Sequence, residues 1–143
     1  MDCLRLTYEV SDGDLSLAGE ASSQVKQTLR KLGYDSETIR RVSVCMYEGE
    51  INMVIHANGG TARVEVGLDE ITIVLTDRGP GIPDVAQAMQ AGFTTAGDEA
   101  RNLGFGAGMG LPNMEKYSDE MKVESTVGVG TTVTMVVRTA PRR

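Results

Sequence analysis

Near the start of the chain Leu4, Leu6, Tyr8 and Val10 alternate with polar residues, the two-residue period of a half-buried strand. The period then lengthens. Ala18, Ala21, Val25, Leu29 and Leu32 recur three and four apart, which predicts a helix over Ser16–Leu32, with Gly33 in the position of a C-terminal cap. A second helix is predicted over Ser36–Ala57. Its inward stripe is Ile39, Val42, Met46, Gly49 and Met53, and Asn58-Gly59-Gly60 stops it. Alternation returns in Ala62-Val64-Val66-Leu68 and Ile71-Ile73-Leu75, which read as a hairpin turning at Asp69-Glu70. Asp77–Gly110 is glycine-rich, carries Pro80 and Pro83, and holds a short predicted helix around Asp84–Gln90. A further helix is predicted from Gly110 to about Ser118. Met121–Ser125 and Thr132–Val137 then close the chain as a hairpin across Gly128-Val129-Gly130. Hairpins with helices inserted in blocks predict a two-layer α+β sandwich rather than a doubly wound sheet.

Composition narrows the function more than the fold. With 143 residues, 41% of them apolar and 24% charged, the chain reads as one globular domain over residues 1–143, without a linker or internal repeat. A net charge of −6, 4% aromatics and no Trp argue against non-specific binding to nucleic acid or an anionic membrane. The longest apolar run, around Ile71–Leu75, is far short of the ~20 residues of a membrane span. Cys3 and Cys45 lie far apart with no metal-like spacing, and no signal-peptide pattern is present; the expected compartment is the reducing cytoplasm. One histidine, His56, is too few for a zinc site or a Ser-His-Asp hydrolase and reads as a helix-end residue. Cys45 reads as a small buried residue, and the eight Met residues as core filler. Glycine departs from the norm. There are 17, against a typical ~7% of residues, and ten fall between Gly79 and Gly130.

Four elements carry candidate chemistry. Glu48 and Asn52, four apart on the second helix, project from one face, while Glu50 points elsewhere. A carboxylate and a carboxamide oxygen on adjacent turns suit a magnesium ion and a water, with phosphates completing the shell; the alternative is a solvated helix face. Asp77-Arg78-Gly79-Pro80-Gly81 follows an apolar strand, and sets an acceptor beside a backbone that a flat ligand can approach. An ordinary type II turn is the alternative there. Gly104-Phe105-Gly106-Ala107-Gly108-Met109-Gly110-Leu111 runs into a helix, a setting in which free N–H groups and the helix dipole can cradle phosphates. It is neither a Rossmann fingerprint nor a P-loop, and a flexible loop is its alternative. In Gly130-Thr131-Thr132 the hydroxyls are placed to reach a base, or belong to a plain turn and strand.

In their joint order the four resemble the GHKL (Bergerat-fold) ATP-binding superfamily of histidine kinases, gyrase B and MutL, over about Leu4–Val137. Glu48-Gly49-Glu50-Ile51-Asn52 and Gly108-Met109-Gly110-Leu111-Pro112-Asn113 are most similar to the bacterial anti-sigma-factor and serine-kinase group. Asp84–Gly97, with Gly92-Phe93-Thr94-Thr95, is most similar to its switch-kinase branch. The resemblance implies a mostly antiparallel mixed sheet with helices on one face. It implies Glu48 as general base, Asn52 as magnesium ligand and Asp77 as acceptor of the adenine amine. Gly79 and Gly81 would shape that pocket, Gly106, Gly108, Gly110 and Leu111 would enclose the triphosphate of Mg-ATP, and Thr132 would sit beside Asp77. It implies a serine/threonine protein kinase with a STAS-type antagonist or a sigma factor as partner, in transcriptional or stress signalling, and admits a homodimer. The anti-sigma kinases carry a basic residue before the glycine box where this chain has Gly106, with Arg101 or Lys116 as substitutes. That difference keeps a second reading open, an ATP-gated module that sequesters a partner without phosphotransfer. A stand-alone histidine-kinase-like ATPase domain is the third.

Overall fold

The computed structural model describes residues 4–10, 19–56, 59–79, 81–82, 89 and 110–139. In chain order these form β1 (Leu4–Val10), α1 (Glu20–Lys31), α2 (Ser36–His56), β2 (Gly60–Val66), β3 (Glu70–Asp77), α3 (Gly110–Tyr117), β4 (Glu120–Thr126) and β5 (Gly130–Arg138). The strands make one sheet in the order β1-β2-β3-β5-β4. Every neighbouring pair is antiparallel, in keeping with the mostly antiparallel sheet expected. The predicted helix at Asp84–Gln90 and the start of α1 expected at Ser16 lie outside the described residues.

Register follows from which residues must be dry. Leu6, Val64, Ile73, Met135 and Met121 pair across all five strands in one row. Three of them are completely buried, and the row lies under the helices. The adjacent row, Thr7, Arg63, Val74, Thr134 and Lys122, falls on the opposite face. A slip of one residue would exchange the two rows and drive Arg63 and Lys122 into the core, so the pattern admits one register.

The helices end where local chemistry stops them. Gly33, at φ +84°, closes α1 as a Schellman motif: its N–H donates to Arg30 O and that of Tyr34 to Leu29 O. Tyr34 and Leu29 are both buried at that corner. Asp35 starts α2. Its carboxylate accepts the N–H of Thr38 at 3.0 Å and the Thr38 hydroxyl at 2.6 Å, and those bonds hold the carboxyl below its usual range. The predicted stripe of Ile39, Val42, Met46 and Met53 is buried against the sheet, as is Gly49.

Gly49 marks the closest approach of α2 to the sheet, because a Cβ there would run into Leu75 Cδ1 and lie 3.6 Å from Met114 Sδ. Two effects oppose each other in Gly49→Ala. Alanine gains about 0.5–1 kcal/mol of helix propensity, whereas overpacking costs about 1–3 kcal/mol. The overpacking is the larger, so Gly49→Ala is expected to lower the melting temperature. An unchanged or raised midpoint in a thermal melt would mean that Leu75 simply turns aside.

Candidate functional site

The C-terminal half of α2, the start of α3 and the sheet end where β3 stops and β5 begins carry the described part of the predicted site. Glu48 and Asn52 are both half-buried. Glu48 Oε2 accepts a 2.7 Å hydrogen bond from Asn113 Nδ2, on the second turn of α3. That bond fixes the carboxylate's direction. Sequence reasoning gave Asn113 no role of its own, since nothing in its spacing shows that α3 lies along α2. Gly110, the first residue of α3, lies against Asn52: a Cβ there would come 2.8 Å from Asn52 Nδ2 and 2.9 Å from Oδ1. The opening turn of α3, whose N–H groups have no partner within the helix, thus begins beside the Asn52 carboxamide.

Asp77 ends β3. Its Oδ1 accepts two backbone N–H groups, from Gly79 at 2.9 Å and from Thr131 at 3.1 Å. No hydrogen bond among the described residues engages Oδ2. Gly81 adopts φ +81°, and a Cβ there would lie 2.5 Å from the carbonyl oxygen of Thr126. Only glycine satisfies both the backbone angle and the close approach. Next to it the Ile82 N–H donates to Ser125 Oγ at 2.7 Å, and the Ser125 and Thr131 hydroxyls are 2.8 Å apart. The turn after Asp77 is thereby stitched to the β4–β5 hairpin.

This geometry corrects one expectation: Thr131, not Thr132, meets Asp77. Thr132 pairs with Thr76 and its side chain belongs to the opposite face of the strand from buried Thr131 and Val133. The parity of β5 decides this, and a Gly-Thr-Thr sequence does not reveal parity. Leu111 is buried in the hydrophobic core, where it anchors α3. Gly79 is buried beside Asp77. Gly106, Gly108 and Arg101 lie outside the described residues. The Lys116 ammonium lies over the Tyr117 ring, 5.4 Å from its centroid, at the end of α3 away from Gly110.

Glu50 does point elsewhere, as its spacing required, and has a different task. It is 2% exposed, and its two oxygens accept the N–H groups of Ala21 and Ser22 at 3.0 Å each. The carboxylate therefore satisfies the first turn of α1 and locks α1 to α2. At the other end of this helix layer Arg41 donates to Asp119 at 2.6 Å and to the Tyr117 carbonyl at 3.2 Å, holding the end of α3 on α2. Cys45 is fully buried, and burial pushes its thiol up to about 12, so it is packing and not a nucleophile.

Among the described residues no three His, Cys, Asp or Glu side chains converge as a metal cluster. No hydrogen bond among the described residues occupies the Asn52 carboxamide, so its neutral oxygen would be open to a hard cation held mainly by phosphates.

The sequence profile of the histidine kinase-like ATPase domain matches residues 13–137, nearly the whole chain. The chain belongs to that family. It is 40% identical to an anti-sigma F factor of Caldanaerobacter subterraneus over 104 residues, 69% of each chain. It is 28% identical to the serine/threonine-protein kinase RsbT of Bacillus subtilis over 92% of this chain and 91% of that one. In structure it resembles the RsbU and RsbW domains of a Mycobacterium tuberculosis protein, with a TM-score of 0.62 and 19% identity over 98% of this chain and 34% of the other, a likeness of fold. Within this histidine kinase-like ATPase family the α+β sheet and helix layer have their expected form, and ATP is the ligand that the domain type uses. No helix among the described residues is long and apolar enough to cross a membrane.

Proposed function

We propose that this histidine kinase-like ATPase domain is an ATP-dependent serine/threonine protein kinase of the anti-sigma or switch type. Its acceptor would be a serine or threonine of a STAS-type antagonist in transcriptional or stress signalling, with a sigma factor as the other class of partner. The observation that carries the reading is the 2.7 Å bond from Asn113 to Glu48, beside Asn52 and the start of α3. It directs the Glu48 carboxylate toward α3, the side on which this reading sets the phosphates. Likeness to RsbT over nine-tenths of the chain supports the same reading.

In this reading the unengaged oxygen of Asp77 accepts the exocyclic amine of adenine, and Gly79 and Gly81 leave room for the base. Gly106, Gly108 and Gly110 would enclose the triphosphate, and Asn52 would lend its oxygen to a magnesium ion, which would neutralise phosphate charge. The acceptor hydroxyl oxygen forms the new bond to the γ-phosphorus while the bond to the β-phosphate oxygen breaks and ADP leaves. The hydroxyl proton passes to Glu48. Such a transfer needs positioning and charge neutralisation above all, and two neighbouring helices supply the positioning.

Gly106 in place of a basic residue favours the alternative, an ATP-gated module that holds a partner without phosphorylating it. Radiolabelled transfer from ATP to a copurified partner separates the two. The metal assignment has its own test. Asn52→Ala is expected to weaken ATP binding about tenfold, ~1.4 kcal/mol, in magnesium but little in EDTA. A variant that keeps the full magnesium enhancement in a calorimetric titration removes Asn52 from the ion's shell.

A further inference from the structure

Along the outer side of the α1–α2 pair runs an open groove of about 640 Å³, which meets the site described above only at Glu48. Each helix gives it one stripe at helical spacing. Ser22, Lys26 and Arg30 line one wall, and Ser36, Arg40 and Tyr47 are on the other. Ile39 lies buried at its base, and Tyr47 is 39% exposed. Ser43 belongs to the same lining, and its enclosed hydroxyl has no hydrogen-bond partner among the described residues. The groove ends at Glu48. From Ser36 to Glu48 the helix rises about 18 Å, room for an extended segment of about five residues at ~3.3 Å each.

Its charge opposes that of the chain. The protein carries −6, yet among the described residues the groove holds Lys26, Arg30 and Arg40 against the one carboxylate of Glu48. Arg40 is engaged by Glu37 at 3.0 Å and lies over the Tyr117 ring. Lys26 and Arg30 are exposed and have no ion pair among the described residues. Arg30 complements the C-terminal dipole of α1. Lys26 stands on the exposed face in the middle of the helix, away from that dipole end. Two cations without an ion pair among the described residues, beside the buried Ile39 in an acidic protein, suit an anionic polypeptide.

We propose that this groove seats the segment of the protein substrate that bears the phosphoacceptor, and that the segment is acidic. The inference rests on the kinase reading for what happens at Glu48; the charge of the segment rests on Lys26 and Arg30. The acceptor hydroxyl lies at the Glu48 end. Acidic side chains reach Lys26 and Arg30, which stand four and eight residues of α1, about 6 and 12 Å of helical rise, beyond Ser22, the lining residue whose N–H is bonded to Glu50 on α2. That offset corresponds to about two and four residues of an extended peptide.

Fluorescent peptides test this, each with one serine and two glutamates placed two and four, or four and eight, residues from it on either side. Glutamine counterparts and lysine counterparts serve as controls. Anisotropy titrations on the whole chain with Mg-ATP are expected to show one glutamate peptide binding about tenfold tighter than its glutamine twin, the size of two modest surface ion pairs. The difference should shrink as salt is added. Lys26→Glu/Arg30→Glu should abolish that preference and favour the lysine peptide instead, while its melting-temperature rise with Mg-ATP matches that of the unmodified chain. Equal binding of glutamate and glutamine peptides, no binding at millimolar peptide, or a double variant that still prefers glutamate overturns the proposal. Phosphate transfer that ignores peptide charge keeps the kinase and removes the groove. Glutamate peptides that bind through Lys26 and Arg30 but never receive phosphate sink the kinase reading and leave an acidic docking groove.

Discussion

Glu48→Gln is expected to bind ATP and partner almost normally while phosphate transfer falls by about 10²–10⁴, the usual contribution of a general base. The structure makes this substitution clean. The oxygen that accepts the Asn113 amide at 2.7 Å has a counterpart in glutamine, so the tie between α2 and α3 can persist. What disappears is the capacity to take a proton. Asn113→Ala provides the matching contrast, since the carboxylate stays but loses its guide, and a smaller fall in the same assay is expected. Single-turnover transfer of labelled phosphate measures both. If neither the unmodified chain nor Glu48→Gln transfers phosphate to a partner that each binds in a nucleotide-dependent way, the sequestering module replaces the kinase.

The second large effect concerns Asp77. Mg-ATP at a hundred times its Kd should stabilise the protein by about 2.7 kcal/mol, a rise of several degrees in melting temperature for a chain of this size. Asp77→Asn should remove most of that rise without harming the empty protein. The reason lies in the division of labour between the two oxygens. Oδ1 holds the Gly79 and Thr131 N–H groups, and an asparagine oxygen can continue to do so. Oδ2 is the one left for the ligand, and replacing it with an NH₂ group sets donor against donor at the adenine amine. Asp77→Ala should differ, because it also strands those two N–H groups and costs stability with no nucleotide present. Melting curves with and without Mg-ATP distinguish the variants. Equal nucleotide shifts for Asp77→Asn and the unmodified chain would place adenine elsewhere.

Much of this was legible along the chain. Apolar period alone located β1, the two long helices and both hairpins, because each element buries one face and must repeat its apolar residues at its own pitch. Gly33 foretold the end of α1, since only a residue at ease with positive φ completes that cap. Glu48 and Asn52 had to share a face of α2 whatever surrounded it, and Glu50 had to leave that face. Resemblance in the ordered boxes supplied the nucleotide reading that periodicity could not.

Tertiary structure decided whatever depends on two segments distant in sequence. The destination of Glu50 is the start of α1, 28 and 29 residues away, and no local rule names the N–H groups that a buried carboxylate will find. Asn113 meets Glu48 across 65 residues, because Arg41 and Asp119 hold α3 along α2. Thr131 replaced Thr132 beside Asp77 because the pairing of β5 with β3 sets which side chain faces inward. The basic groove exists only because α1 folds back on α2 and brings Lys26 and Arg30 toward the line leading to Glu48. Local sequence determined the elements through pitch and caps, since those energies act within a few residues. The partners of each charged or amide group were left to packing, where the cost of an unsatisfied buried polar group selects one arrangement among many.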